Sequence, residues 1–219
     1  MKFLSFILVL FLVSNLFAGE QSFPQGYPKD WWKEIPRSEA KDWEILPQDA
    51  KEGEVILSKR TELGVFSNLA FSAFELEGVR YHSIEGLWQG MKYPDPELKD
   101  DPRLQLSGWT HKRSEVYLLS DWDSKNAGTE ANAINKKAGI DWISYKEKKF
   151  NYRDMGEGSR FHLELITKAT KAKIEQNPKI KELLLKTKGL ILKPDHKQNE
   201  KDPASYRYFD ILMKIRDAE

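Results

Sequence analysis

The sequence of 219 residues contains no cysteine. This absence excludes disulfide bonds, zinc–thiolate sites, iron–sulfur clusters and cysteine nucleophiles. Histidine is also scarce, and its four residues are scattered without any HExxH-type pair: His82, His111, His162 and His196. The sequence therefore predicts a protein that works without a metal ion or another cofactor.

An excess of charge of one sign is missing as well. Lysine and arginine total 35 against 34 aspartates and glutamates, and the formal net charge is +1. A DNA-binding domain is expected to carry a clustered basic excess, so the composition gives no electrostatic case for DNA binding. Apolar material is present in quantity, with 40% hydrophobic and 12% aromatic residues. That content and length predict one compact domain, or one domain with an ordered arm.

Long hydrophobic runs are confined to the N-terminus. An almost unbroken apolar run extends from Phe3 to Phe17, after Lys2 and before Ala18. This pattern is typical of a secretory signal peptide, here residues 1–18, with cleavage after Ala18. The run is shorter than the roughly 20 apolar residues of a membrane-spanning helix, although an uncleaved anchor is the alternative. We expect a secreted or periplasmic protein without stable membrane insertion.

Residues 19–53 are rich in proline and tryptophan. Each proline removes a backbone donor, so a long helix is excluded here, and the tryptophans favour burial. The pattern predicts an extended arm across the domain, and an aromatic platform for a carbohydrate or a partner is the alternative. The tryptophans of the arm are Trp31, Trp32 and Trp43.

Residues 54–219 predict a mainly α domain of the α+β class with a small β element near its start. Strands are expected at 55–57 and within 71–81, the latter with a turn at Glu77-Gly78. Ser83 is a suitable N-cap for a helix over 83–93. Further helices are predicted over 159–177, from Pro178 to Gly189 and over 205–217, whereas 126–135 reads only as a polar segment.

Three polar residues of the 83–93 helix share one face. Glu85, Gln89 and Lys92 are spaced at i, i+4 and i+7, which places a carboxylate, an amide and an ammonium beside the apolar stripe. Such a set forms a polar pocket at the edge of a buried face, or else an ordinary solvated helix face. The spacing leaves both interpretations open.

Several short motifs follow one another in a fixed order along the domain. They are Ser58-Lys59, Gly64-Val65-Phe66-Ser67-Asn68, Ser83-Ile84-Glu85, Gln89, Lys92-Tyr93, and residues 173–177, 184–189 and 212–216. Together they resemble the NADAR, or YbiA-like, domain family, from about residue 55 to the C-terminus. Two departures are clear: Gly86 stands where the family has a histidine, and a polar loop over 194–199 replaces a Trp-Gly-rich segment.

The resemblance implies hydrolysis of N-glycosidic bonds to ribose, in riboflavin-pathway intermediates or in ADP-ribose attached to guanine. It implies Glu85 as the catalytic carboxylate, Lys59 as an amine nucleophile, and Asp195, or else Asp202, as the family aspartate. The implied substrate-binding residues are Ser67, Asn68 and Gln89 for hydrogen bonds, Lys92 as a cation for phosphate or carboxylate, and Trp88 for stacking on a base. For Asn68 a turn residue is the alternative role, and for Trp88 a core residue.

The function that these features imply is that of an exported N-glycosidase acting on a ribosylated or ADP-ribosylated base or nucleotide-like molecule. Its partner would be a small-molecule or nucleic-acid-linked ribosyl substrate. The alternative is a secreted binding protein that kept the fold and lost turnover. The loop over 193–202 distinguishes them, because the enzyme is favoured if this loop folds over Glu85 and presents an acid, and the binding protein if it points to solvent.

Overall fold

The structure, a computed structural model, describes residues 24–199 and 201–219. The predicted signal peptide lies outside the described residues. The α+β class predicted from the sequence is observed, with helices dominating. The helices are α1 (Ile84–Gly90), α2 (Arg113–Tyr117), α3 (Asp121–Lys137), α4 (Glu157–Gln176), α5 (Pro178–Lys186) and α6 (Tyr208–Asp217). The strands are β1 (Glu54–Ile56), β2 (Phe74–Leu76), β3 (Val79–Tyr81), β4 (Ile143–Tyr145), β5 (Lys148–Phe150) and β6 (Ile191–Lys193).

The strands of the described chain pair two by two. β2 and β3 form an antiparallel hairpin, as do β4 and β5, whereas β1 and β6 are parallel. The predicted turn between β2 and β3 is confirmed, because Glu77 and Gly78 both adopt positive φ, at 54° and 82°, as a tight hairpin turn requires. The parallel pair matters most for the site, because the segments after β1 and β6 leave the same edge.

Helix α1 begins at the predicted cap. The Ser83 hydroxyl oxygen accepts a hydrogen bond from the Gly86 amide at 2.8 Å, and the hydroxyl donates to the Leu119 carbonyl at 2.8 Å. The helix is shorter than the predicted 83–93, since it ends at Gly90. A Cβ on Gly86 would lie 2.7 Å from the Leu119 carbonyl oxygen and 2.9 Å from that of Val116. Glycine at this position therefore lets α1 approach the end of α2.

The N-terminal arm joins the main core through two of its tryptophans. It contains three short 3₁₀ helices, Lys29–Trp32, Arg37–Glu39 and Pro47–Asp49. Trp31 and Trp32 are buried with residues of β1, β6 and α6. Burial of all three tryptophans was expected, and for Trp43 that expectation is wrong, because its side chain is 45% exposed.

Helix α3 is a long helix that the sequence did not predict. It has 17 residues and packs on α1 through small side chains rather than large apolar ones, so its apolar periodicity is weak. Across residues 24–199 and 201–219, no helix combines the length and apolar character needed to cross a membrane. The small residues buried along α3 are Ser124, Ala127, Gly128 and Ala131.

Candidate functional site

One cavity of about 500 Å³ is lined by five of the residues that the sequence singled out. Its walls come from the ends of β1 and β6, the loop before β2, α1, α3 and the arm. Three other predicted site residues do not line the cavity but lie behind residues that do. Gln89 and Lys92 lie next to Glu85, and Asp195 is paired with Lys59. The five predicted residues on the wall are Lys59, Ser67, Asn68, Glu85 and Trp88.

Glu85 is held at the first turn of α1 by both its backbone and its side chain. Its amide donates to the Asn68 carbonyl at 2.9 Å, and its Oε1 accepts a hydrogen bond from Gln89 Nε2 at 2.6 Å. Burial raises the pKa of Glu85 above its ordinary value, against the opposing effects of the Gln89 hydrogen bond and the Lys92 charge. Glu85 is therefore an oriented carboxyl group that binds a proton more strongly than an exposed glutamate does.

The polar face of α1 is buried, so its interpretation as a solvated face is wrong. Gln89 is only 7% exposed and Lys92 only 6% exposed. Burial lowers the pKa of Lys92 to about 8, although the negative charge of Glu85 opposes the shift. Burial and the nearby Lys92 charge likewise lower the pKa of His162 to about 3, so His162 is neutral at pH 7. Lys92 thus acts on Glu85 electrostatically and is not displayed on the cavity wall.

Lys59 and Asp195 meet because β1 and β6 are parallel. The Leu57 amide donates to the Lys193 carbonyl at 2.8 Å, and just beyond this contact Lys59 Nζ lies 2.5 Å from Asp195 Oδ2. Burial raises the pKa of Asp195, but hydrogen bonds from His196 and Lys59 outweigh it and hold the pKa below its usual value. Asp195 is therefore an ionised, buried partner of Lys59 and is not an acid presented to the cavity.

The loop after β6 folds over the same cavity as Glu85. Its His196, Lys197 and Gln198 line the cavity. The arm holds this loop in place, because the Ile45 amide donates to the Asp195 carbonyl at 2.8 Å and Glu44 forms an antiparallel bridge with His196. The position of the loop is the one expected for the enzyme, but the side chains that it presents are an imidazole, an ammonium and an amide.

Ser67 and Asn68 lie on a loop whose backbone is held by a buried lysine, Lys173. Lys173 Nζ donates to the carbonyls of Val65 and Ser67 at 2.8 and 3.0 Å. Burial lowers the pKa of Lys173 to about 7. The Ser67 hydroxyl oxygen accepts from the Leu69 amide at 3.2 Å and so stabilises the turn, while the Asn68 side chain borders the cavity.

Aromatic rings form much of the wall. Trp88 is a buried core residue that also borders the cavity, and its ring packs against those of Tyr206 and His162 at 4.7 and 4.9 Å. Its stacking on a base stays a prediction. Trp43 and Trp122 also line the cavity and are 45% and 52% exposed. Lysine ammonium groups lie over these two rings: Lys59 over Trp43 at 5.7 Å and Lys125 over Trp122 at 4.7 Å.

Several residues of the wall were missed from the sequence. Trp122 and Lys125 were missed because helix α3 was not predicted. Trp43 had been considered only within the alternative of an aromatic platform, because its burial was expected. His196 offered one signal, its position next to Asp195. Within the described parts of the chain, no group of three or more histidine or acidic side chains is arranged to hold a metal ion.

The cavity therefore combines four chemical features. It has a carboxyl group with a raised pKa, an Asp–His–Lys cluster, an amide side chain and exposed indole rings with lysines beside them. Carboxyl and imidazole groups move protons, indoles stack on planar rings, and lysines attract anions. This set suits a ligand that joins a planar ring to a sugar or a phosphate.

Comparison with known proteins shows that one solved structure has a similar fold. No protein-family model and no curated protein sequence matches this chain. Among solved structures, the chain is similar to the NMR structure of the Escherichia coli protein YbiA. The TM-score is 0.46 at 19% sequence identity, over 74% of this chain and 80% of that one. The likeness concerns the fold alone.

Proposed function

We propose that the chain is an exported N-glycosidase that hydrolyses the N-ribosidic bond of a ribosylated or ADP-ribosylated base or a similar nucleotide-like molecule. The observation that supports it most is the setting of Glu85. This carboxyl group borders a cavity of about 500 Å³, is oriented by Gln89 and has a raised pKa. Export is part of the proposal and follows from the apolar run at residues 3–17.

The chemistry of ribosyl transfer to water assigns a role to Glu85. Breaking the C1′–N bond creates an oxocarbenium-like transition state, which a nearby carboxylate stabilises. A raised pKa also makes the ionised carboxylate a stronger base toward the attacking water. We assign Asn68, which lines the same wall, to hydrogen bonds with ribose hydroxyl groups.

The geometry favours a different role for Lys59 from the amine nucleophile that the family resemblance implies. An attacking amine has to be free of its proton, whereas Lys59 Nζ is ion-paired with Asp195 at 2.5 Å. We therefore assign Lys59 to the binding of an anionic group of the substrate, next to Trp43. Lys92, with its pKa near 8, stays behind Glu85 and tunes its charge.

The proposal is tested on the mature chain starting at Gly19. ADP-ribosylated guanine DNA, NAD and a riboflavin-pathway ribosylamine are each incubated with the protein, and released ribose or ADP-ribose is detected by mass spectrometry. We expect release from at least one of them, and Glu85→Gln to lower the rate by at least about 100-fold. Glu175→Gln, at an exposed position of α4, is the matched control and is expected to keep full activity.

The binding-protein alternative predicts a different result. It draws on the exposed Trp43 and Trp122, which suit ligand stacking as well as catalysis. If the folded protein binds ADP-ribose but releases nothing from the three substrates, the glycosidase proposal is wrong for this substrate class. If Glu85→Gln retains binding and loses release, the enzyme proposal holds.

A further inference from the structure

The cavity wall contains an imidazole that the proposed function has not yet used. His196 Nδ1 lies 2.9 Å from Asp195 Oδ1. The histidine side chain is 40% exposed, whereas the aspartate side chain is only 2% exposed. A half-exposed imidazole thus borders the same cavity as Glu85 and is supported from behind by a buried carboxylate.

The carboxylate that supports His196 is itself fixed on several sides. The second carboxylate oxygen, Asp195 Oδ2, is ion-paired with Lys59. The backbone carbonyl of Asp195 accepts a hydrogen bond from the Ile45 amide. The bridge between Glu44 and His196 holds the next residue of the loop. The arm, β1 and β6 therefore converge to give the imidazole one orientation.

This arrangement determines which imidazole nitrogen is available. A carboxylate at Nδ1 accepts the Nδ1–H, which leaves Nε2 as the nitrogen that gains or loses a proton. In the neutral ring Nε2 accepts a hydrogen bond from the Gln198 amide nitrogen at 3.0 Å, and this amide, also on the cavity wall, has to turn away when Nε2 carries the proton. The carboxylate at Nδ1 orients the imidazole, as in hydrolases where an aspartate orients a histidine.

We propose that His196 is the general acid that protonates the departing base; this inference rests on the proposed N-glycosidase function. The proton on Nε2 of the imidazolium moves to the leaving nitrogen as the C1′–N bond breaks and its electron pair stays on that nitrogen. Water adds to C1′ and transfers a proton to the Glu85 carboxylate, which later returns it to His196 through solvent. The sum is one water consumed, one C1′ hydroxyl formed and one N–H base released.

Leaving groups that differ in their need for a proton test this role. Guanine in an ADP-ribosylated guanine adduct has to be protonated as it leaves, whereas nicotinamide leaves NAD as a neutral ring without a proton. We expect His196→Ala to slow release from the guanine adduct by roughly 10²–10⁴-fold and to change NAD cleavage by no more than a few fold. Added imidazole should restore part of the activity on the guanine adduct, which it would not do if His196 were only structural.

The control is His82→Ala, because His82 packs on Phe71 away from the cavity. It is expected to match the wild type on both substrates. If His196→Ala slows release equally on the two substrates, or does not slow it on the guanine adduct, the proposed role of His196 is wrong. The proposed glycosidase function would still stand. Wild-type cleavage of NAD alone would also overturn it, since no leaving group would need the acid. A wild type inactive on all substrates would refute the proposed function itself.

An assay without substrate examines the geometry. Nitrogen-15 NMR of the full mature chain should show neutral His196 with its proton on Nδ1, and Asp195→Asn should disturb that preference. A proton resident on Nε2 of neutral His196 in the wild type would contradict the pairing with Asp195 on which the inference depends.

Discussion

Replacing Gly128 by alanine should disconnect Gln89 from Glu85. Gly128 lies inside α3, where this helix packs on α1. A Cβ at this position would lie 1.8 Å from Gln89 Oε1, 2.2 Å from Cδ and 2.8 Å from Cγ. Because the inner carbon Cγ is also too close, turning the end of the side chain is not enough to relieve the clash. Gln89 has to move, and the hydrogen bond to Glu85 is the interaction that it loses.

The magnitude follows from three opposing contributions. Alanine in place of glycine in a helix interior gains about 1 kcal/mol. Overpacking of a buried contact costs roughly 1–3 kcal/mol, and loss of a hydrogen bond to a carboxyl group costs roughly 1–3 kcal/mol. We expect Gly128→Ala to lower the free energy of unfolding by roughly 1–5 kcal/mol, which at about 2–4 °C per kcal/mol is a clear fall in Tm.

Urea unfolding of single and double variants measures this effect without a substrate. In a Gln89→Ala background the obstructing side chain is absent, so Gly128→Ala should there become neutral or stabilising by up to about 1 kcal/mol. The reversal of sign is the signature of the contact. Asn132→Ala, on the exposed side of α3, is the control and should not depend on residue 89. If Gly128→Ala stabilises the otherwise unchanged protein, the packing argument is wrong.

Two further predictions concern the buried lysine and the exposed indole. Burial lowers the pKa of Lys173 to about 7 in the folded protein, against 10.5 in a model peptide. Between these two pH values the unfolded chain binds more protons than the folded one. The free energy of unfolding therefore rises with pH, by up to about 1.4 kcal/mol per pH unit. Lys173→Met should lower this slope in urea unfolding between pH 7.5 and 9.5, while Lys92, whose pKa is lowered to about 8, supplies a smaller rise that remains. A slope as steep as that of the wild type would contradict the assignment. Trp43→Ala should change the free energy of unfolding by less than about 1 kcal/mol, because Trp43 is half-exposed, yet weaken ADP-ribose binding by roughly 5–150-fold if its ring stacks on the base. Calorimetry measures this binding. The control is Trp109→Ala, because Trp109 lines a different cavity, and this variant is expected to bind ADP-ribose as the wild type does.

Local signals were sufficient for much of the fold. Ser83 caps α1 and Glu77-Gly78 turns the hairpin, because capping and left-handed turns depend on neighbours in the chain. Helix α3 escaped prediction for a physical reason. It packs through small residues such as Ala127 and Gly128, and close approach of two helices needs small side chains, which produce little apolar periodicity.

The candidate site, like the fold, could be predicted only where it depends on residues close together in the sequence. The shared face of Glu85 and Gln89 could be predicted, since it depends only on the helical repeat, and the hydrogen bond between the two confirms it. Lys92 lies beyond the end of α1 and is buried behind Glu85. The contact of Lys59 with Asp195 joins residues 136 positions apart. It depends on the parallel pairing of β1 with β6, which neither segment specifies alone, so the family resemblance could suggest both residues but not their ion pair.

The two departures from the family pattern can be read together. Gly86 occupies the place of the family histidine, and the carbonyl oxygens at the end of α2 leave no room there even for a Cβ. A side chain at residue 86 would force α1 away from α2 and disturb the helix that carries Glu85. The polar loop that replaces the Trp-Gly-rich segment brings His196 to the cavity from the opposite end of the chain, on a loop that the arm holds in place. This chain therefore presents an imidazole to the cavity on that loop, and because the arm holds the loop we regard the arm as part of the site.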